Sequence, residues 1–212
     1  MQSLDFAARC SDKSDNGCAM EEGETMAENV LSKAVIGHDG LWRKLALVFG
    51  GAAFLSAVAQ LSVGWPVPMS LQGLAVLIIG FSYGARLAAA TLIAYLAYGA
   101  LGLPVFSNAQ SFPALIGPTA GFLYGFVLMA WLAGLAADRG AARHLGAMIA
   151  VGLGLSLLLY VPGLGWPAAM LGKTLPELWG GWMAPFLIGD AIKAVLAAMI
   201  MWSGWKFLGR SS

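Results

Sequence analysis

The chain has 212 residues, 59% of them hydrophobic and 11% charged, with a mean hydropathy of +0.75. Soluble domains carry about a quarter charged residues, so this composition excludes an ordinary soluble fold and predicts an all-α integral membrane protein. The net charge of +1 conceals a split: residues 1–40 hold three basic and eight acidic residues, residues 41–212 nine basic and three acidic.

Residues 1–40 are polar and acidic and lack periodic apolar positions, which predicts a disordered cytoplasmic N-terminal tail. The tail has no basic start followed by an apolar run, so no signal peptide is read there. Met26 offers an alternative start to Met1. Cys10 and Cys18 also lie in this tail; with no histidine between them they match no common metal spacing, and no metal site is predicted. No basic cluster suggests a nucleic-acid partner.

Residues 41–212 form the predicted membrane domain, with six transmembrane helices. The spans are Leu45–Val63, Met69–Phe81, Leu87–Leu103, Thr119–Ala137, Leu145–Val161 and Trp182–Phe207. The second reaches only about 20 Å at helical rise and is short for a crossing. In the first, Ala53 and Ala57, four apart, present a small-residue face suited to close packing on a partner helix.

Basic residues set the orientation. Arg43, Lys44, Arg86, Arg139, Arg143, Lys206 and Arg210 fall on one side of the spans and Lys173 alone on the other, which places both termini in the cytoplasm. The three outward connections, 64–68, 104–118 and 162–181, carry most of the prolines and several tryptophans. With Gln72, Asn108 and Thr119 they are suited to roof an outward-facing ligand pocket, since irregular backbone at membrane depth is tolerated where it lines a cavity.

Asp190 and Lys193 interrupt the last apolar run. An ionisable group at the bilayer centre costs roughly 2.5–3.5 kcal/mol on insertion scales. Spacing i, i+3 puts the two on one helical face, as a packing lock or as part of a polar ligand site.

Four motifs occur in order: Val67-Pro68-Met69-Ser70-Leu71-Gln72; Tyr95 followed by Gly99-Ala100-Leu101-Gly102-Leu103-Pro104-Val105-Phe106; Gly117-Pro118-Thr119-Ala120-Gly121-Phe122; and Pro185-Phe186 followed by Asp190 and Lys193. Together they resemble the biotin-specific S component, the substrate-binding membrane subunit of energy-coupling-factor (ECF) vitamin transporters, over residues 45 to 205. The resemblance implies a six-helix protein of the bacterial cytoplasmic membrane that binds biotin from outside. It implies ligand-binding roles for Asp190, Lys193, Gln72, Asn108 and Tyr160. It further implies a transmembrane coupling subunit and ATP-binding cassette ATPase subunits as partners, with Ala53 and Ala57 at the docking face. Many relatives carry tyrosine where this chain has Phe122, so no hydroxyl is expected there.

Biotin has an apolar bicycle, a ureido group with two N–H donors and a carbonyl, and a carboxylate. Asp190 suits the ureido N–H groups, and Lys193, amides and aromatic walls suit the remainder. Biotin is the transported ligand here and no cofactor is expected. No Gly-x-x-x-x-Gly-Lys-Ser/Thr motif is present, so ATP-driven uptake needs separate subunits. Uptake by the chain alone and self-association both stay open, and a subunit for another vitamin is the nearer alternative. An intramembrane enzyme is less well supported: the zinc pattern His-Glu-x-x-His is absent and no second acid accompanies Asp190, so no catalytic residue is assigned.

Overall fold

The computed structural model describes residues 40–63 and 69–208. The predicted tail, with both cysteines and Met26, the 64–68 connection and Arg210 lie outside the described residues.

The architecture is helical. In chain order the helices are α1 (Leu41–Ala59), α2 (Gln72–Tyr83), α3 (Ala85–Ala100), α4 (Phe112–Ile116), α5 (Ala120–Asp138), α6 (Leu145–Leu171), α7 (Leu175–Leu178) and α8 (Ala184–Leu208). Two short strands, β1 (Ser62–Val63) and β2 (Met69–Ser70), pair antiparallel between α1 and α2. Four helices are long and apolar enough to cross a membrane: α1, α5, α6 and α8. The other two predicted spans are the shorter apolar helices α2 and α3. Their 12 and 16 residues give about 18 and 24 Å of rise, less than the roughly 30 Å of bilayer hydrocarbon.

Helix α5 is central, packing against α6, α2 and α3, while α8 lies on α6 and α2, and α1 on α3. The contacts are built from small residues. Ala75, Ala130, Ala133 and Ala137 are fully buried, which lets backbones approach as expected for helices in lipid. Large apolar side chains such as Leu157, Ile188, Ile192 and Ile200 point outward, the pattern of a lipid-facing surface rather than of a soluble one.

One corner shows the close approach most clearly. Gly84, at φ 78°, breaks the chain between α2 and α3. The next residue donates its N–H to Asp138 Oδ2 at 3.0 Å, so the carboxylate at the end of α5 sits on the N-terminus of α3, where a negative charge is favoured. Gly134 makes room for this corner: a Cβ there lies 2.6 Å from Ala85 Cα. Gly134→Ala is expected to lower stability by about 1–3 kcal/mol through overpacking against backbone that has nowhere to move. Thermal unfolding in detergent measures this, and an unchanged midpoint contradicts it.

Several boundaries differ from the sequence reading. The first helix begins at Leu41 rather than Leu45, so Arg43 and Lys44 occupy its first turn instead of preceding it, and it ends at Ala59 because residues 62–63 pair with β2. The largest correction concerns the fifth span. Prolines at 162 and 167 predict an end at Val161, yet α6 runs on through both to Leu171. Each proline removes one helical N–H, but here tertiary packing overrides that cost. Gly121 lies against the Pro162 carbonyl, and a Cβ on Gly125 lies 2.9 Å from the Pro162 ring. Trp166, on the extension, donates its indole N–H to the Gly117 carbonyl at 3.0 Å. The 162–181 connection is therefore mostly helix. It ends in a short capped turn in which the Thr174 N–H donates to Glu177 Oε2 at 2.8 Å, holding that carboxyl below its ordinary range. A five-residue π turn, Trp179–Met183, then leads into α8.

Candidate functional site

A cavity of about 90 Å³ opens at the end of the bundle where α2 and α5 begin. Its polar lining is Ser70, Gln72, Ser107, Gln110, Thr119, Tyr160, Asp190 and Lys193, and its aromatic lining is Phe106, Phe122, Phe126 and Phe186.

Helix α8 supplies the charged pair. Lys193 Nζ donates to Asp190 Oδ1 at 3.0 Å, with the two side chains 15% and 19% exposed. Tyr160, two residues before Pro162 on α6, donates its hydroxyl to Asp190 Oδ2 at 2.5 Å. Both carboxylate oxygens are thus held by protein donors, so the pair binds α6 to α8 as well as facing the cavity. Each oxygen keeps further lone-pair capacity, and the ammonium keeps donors beyond the one used. Burying this charge is tolerable because every charged atom group has a partner. Phe122 meets Tyr160 edge-on, ring centroids 6.1 Å apart, and contributes an apolar face with no hydroxyl.

Across the cavity Gln72 is 3% exposed and held at both ends of its amide. Its Nε2 donates to the Tyr95 hydroxyl at 3.2 Å and its Oε1 accepts from Ser107 Oγ at 3.4 Å. The Tyr95 hydroxyl in turn donates to the Val105 carbonyl at 3.1 Å. The amide is therefore pre-oriented, with one N–H and one lone pair to spare.

The segment after Phe106 is shaped by backbone. Phe106 is buried against the backbone of Gly99, where any Cβ would overlap its ring. Asn108 and Ala109 then take left-handed conformations, φ 59° and 55°, an unusual pair for non-glycine residues. Gln60 of the α1 end pins this turn, donating to the Phe106 carbonyl at 3.1 Å and accepting from the Ala109 N–H at 3.1 Å. The turn sends Ser107 and Gln110 into the cavity and Asn108 away from it.

Four of the five predicted ligand residues, Gln72, Tyr160, Asp190 and Lys193, thus share one cavity. Asn108 stands apart: it is exposed, outside the lining, and its Oδ1 accepts from Ser62 Oγ at 3.0 Å. Its position follows from the αL turn that asparagine adopts readily. Ser70, Ser107 and Gln110 are the polar cavity residues that the sequence reading does not single out as sites. Ala53 and Ala57 lie exposed on α1, away from the cavity. Gly80-Phe81-Ser82-Tyr83-Gly84 has the Gly-x-Ser-x-Gly spacing of a nucleophile elbow. It lies at the end of α2 rather than at a strand-to-helix elbow, and Ser82 donates back to the Ile78 carbonyl at 2.6 Å. Among the described residues no group of three or more His, Cys, Asp or Glu is placed to hold a metal ion.

Compared with known protein families, residues 26–210 match the BioY family. The chain belongs to the BioY family. The match begins well before residue 45, where the resemblance read from the sequence starts. Among individual BioY relatives, the probable biotin transporter BioY of Pyrococcus horikoshii is 32% identical over 160 residues, 74% of this chain and 93% of the relative. The biotin transporter BioY of Rhizobium etli is 34% identical over 170 residues, 74% of this chain and 90% of the relative. Among solved structures, the fold resembles the S-component for biotin from an ECF-type ABC transporter, with a TM-score of 0.69. That likeness covers 78% of this chain and 92% of the other at 24% identity, and so speaks to the fold alone.

Proposed function

We propose that this BioY-family chain binds biotin at the outer face of the bacterial cytoplasmic membrane and mediates its uptake, as the substrate-specific subunit of an ECF-type transporter. The observation that carries the reading is the joining of Asp190, Lys193 and Tyr160 with the pre-oriented Gln72 amide in one aromatic cavity. Acceptors for ureido N–H groups, a cation and amide for carbonyl or carboxylate oxygens, and flat apolar walls for the bicycle are what biotin requires. The relatives named as biotin transporters support the same ligand, and the role is transport rather than catalysis. Asn108 contributes by fixing the turn that delivers Ser107 and Gln110.

In this reading α1, α2, α3, α5, α6 and α8 all cross the membrane, the two short helices with local irregularity at their ends. Arg43, Lys44, Arg86, Arg139, Arg143 and Lys206 lie at one end of these helices, opposite the cavity. The charge bias supports both termini inside and the cavity outside. Single cysteines at Asn108 or Thr174 are expected to react with an impermeant label added to intact cells, and one at Arg139 to stay unlabelled. Labelling at Arg139 alone overturns the orientation.

Ala53 and Ala57 form an exposed small-residue stripe with Gly50 on α1, and we assign it to docking of the transmembrane coupling subunit, which carries the ATPase subunits. Labelled-biotin uptake by cells expressing the chain with and without those subunits tests the whole reading. Accumulation above background is expected with them, and its absence in both cases contradicts the reading. Ala53→Trp is expected to abolish the partner-dependent part of uptake while binding of biotin to the purified chain persists. Loss of binding as well would mean that the stripe packs within the subunit.

A further inference from the structure

A second concavity lies at the opposite end of the bundle from the ligand cavity, between α5 and α6. Arg139, Arg143 and His144 line its rim, and Leu132, Leu135 and Leu155 its floor. The rim residues are exposed and sit where the chain turns between two helices long enough to cross the membrane. From the rim at His144 to the floor at Leu155 is about 17 Å at 1.5 Å per residue, from the basic helix ends toward the bilayer interior. Arg143 is held in place rather than loose: its guanidinium stacks over the Trp205 ring of α8 at 5.7 Å. Asp138, the acidic residue beside the rim in sequence, does not line the groove, and its Oδ2 accepts from the Ala85 N–H.

We infer that this groove binds one anionic membrane phospholipid, its phosphate at Arg139, Arg143 and His144 and an acyl chain along the leucine floor. Two features commit the assignment to a lipid rather than to a soluble anion. Guanidinium groups bind phosphate oxygens through paired N–H donors, and basic pockets between membrane helices attract anionic headgroups. The apolar floor beside the basic rim gives a hydrocarbon chain a surface that a free phosphate has no use for. The ligand cavity takes no part, so the inference stands independently of biotin binding; the proposed topology fixes only the leaflet, the cytoplasmic one.

The test is native mass spectrometry of the full chain from micelles doped with equal phosphatidylglycerol and phosphatidylcholine. Retention of one phosphatidylglycerol in preference to phosphatidylcholine is expected. The pair of changes Arg139→Gln and Arg143→Gln should lower it on the order of tenfold, whereas Arg139→Lys with Arg143→Lys should lower it less, keeping the charge without the paired donors. Biotin binding in lipid-free detergent should not change, since neither arginine lines the cavity, while the unfolding midpoint should fall slightly as the Arg143–Trp205 contact is lost. If the glutamine pair unfolds, Arg139→Gln alone, at an exposed position, should still lower retention measurably. Equal retention of the two lipids, or undiminished phosphatidylglycerol in a folded glutamine variant, overturns the inference. So does glycerol phosphate displacing the lipid at equal concentration, because the groove would then be a phosphate site without a use for its floor.

Discussion

Asp190→Asn and Lys193→Met are each expected to weaken biotin binding by roughly ten- to a hundredfold, and the double change is expected not to restore it. The pair has two separable effects. It links α8 to α6 through the Tyr160 hydroxyl, and it presents a carboxylate and an ammonium to the cavity. Removing one partner leaves the other charge inadequately neutralised in a poorly solvated place, so each single change should also lower the unfolding midpoint. Removing both relieves that penalty, because a neutral pair of similar volume replaces a buried ion pair at little cost. Stability should therefore recover in the double variant while affinity does not. A pair that only locks the helices predicts recovery of both.

The second large effect is expected at Gln72. Gln72→Leu removes a pre-oriented amide from the cavity and deprives Ser107 of its acceptor, and biotin affinity should fall by about tenfold or more. Tyr95→Phe serves as its control. It removes the hydroxyl that anchors Gln72 Nε2 and donates to Val105, costing about 1–3 kcal/mol of stability by leaving buried groups unpaired, but it keeps the amide in the cavity. Biotin titrations of both variants should thus show a much larger loss for Gln72→Leu. Equal losses would reduce Gln72 to a brace for the turn after Phe106.

What the sequence reveals and what it hides divides along physical lines. A charged pair inside an apolar run is conspicuous because its desolvation demands a reason, and Asp190 and Lys193 are found on spacing alone. Gln72 is legible as an amide at the mouth of a span beside a proline-rich connection, whereas Tyr160 is reached only through the motif resemblance. Asn108 is placed outside the cavity for a conformational reason: with a φ of 59° it sits in a left-handed turn that carries its side chain away from the lining. Ser107 and Gln110 flank that turn without any periodic pattern, and only the folded loop places them in the cavity. The prolines of α6 mislead. The local rule that they end helices is sound, but the glycines of α5 that accommodate Pro162 come from a distant part of the chain. The short α2 is anticipated because apolar length is a local property, whereas the Gly84–Gly134 corner depends on two helices meeting.

The most direct test of biotin recognition is titration of the purified full chain with biotin, alongside other vitamins at the same concentrations. One biotin per chain, bound in preference to the rest and weakened by Lys193→Met in a folded protein, is the predicted result. Saturable binding of another vitamin with none of biotin, or biotin binding indifferent to Lys193→Met, would contradict the assignment of this cavity.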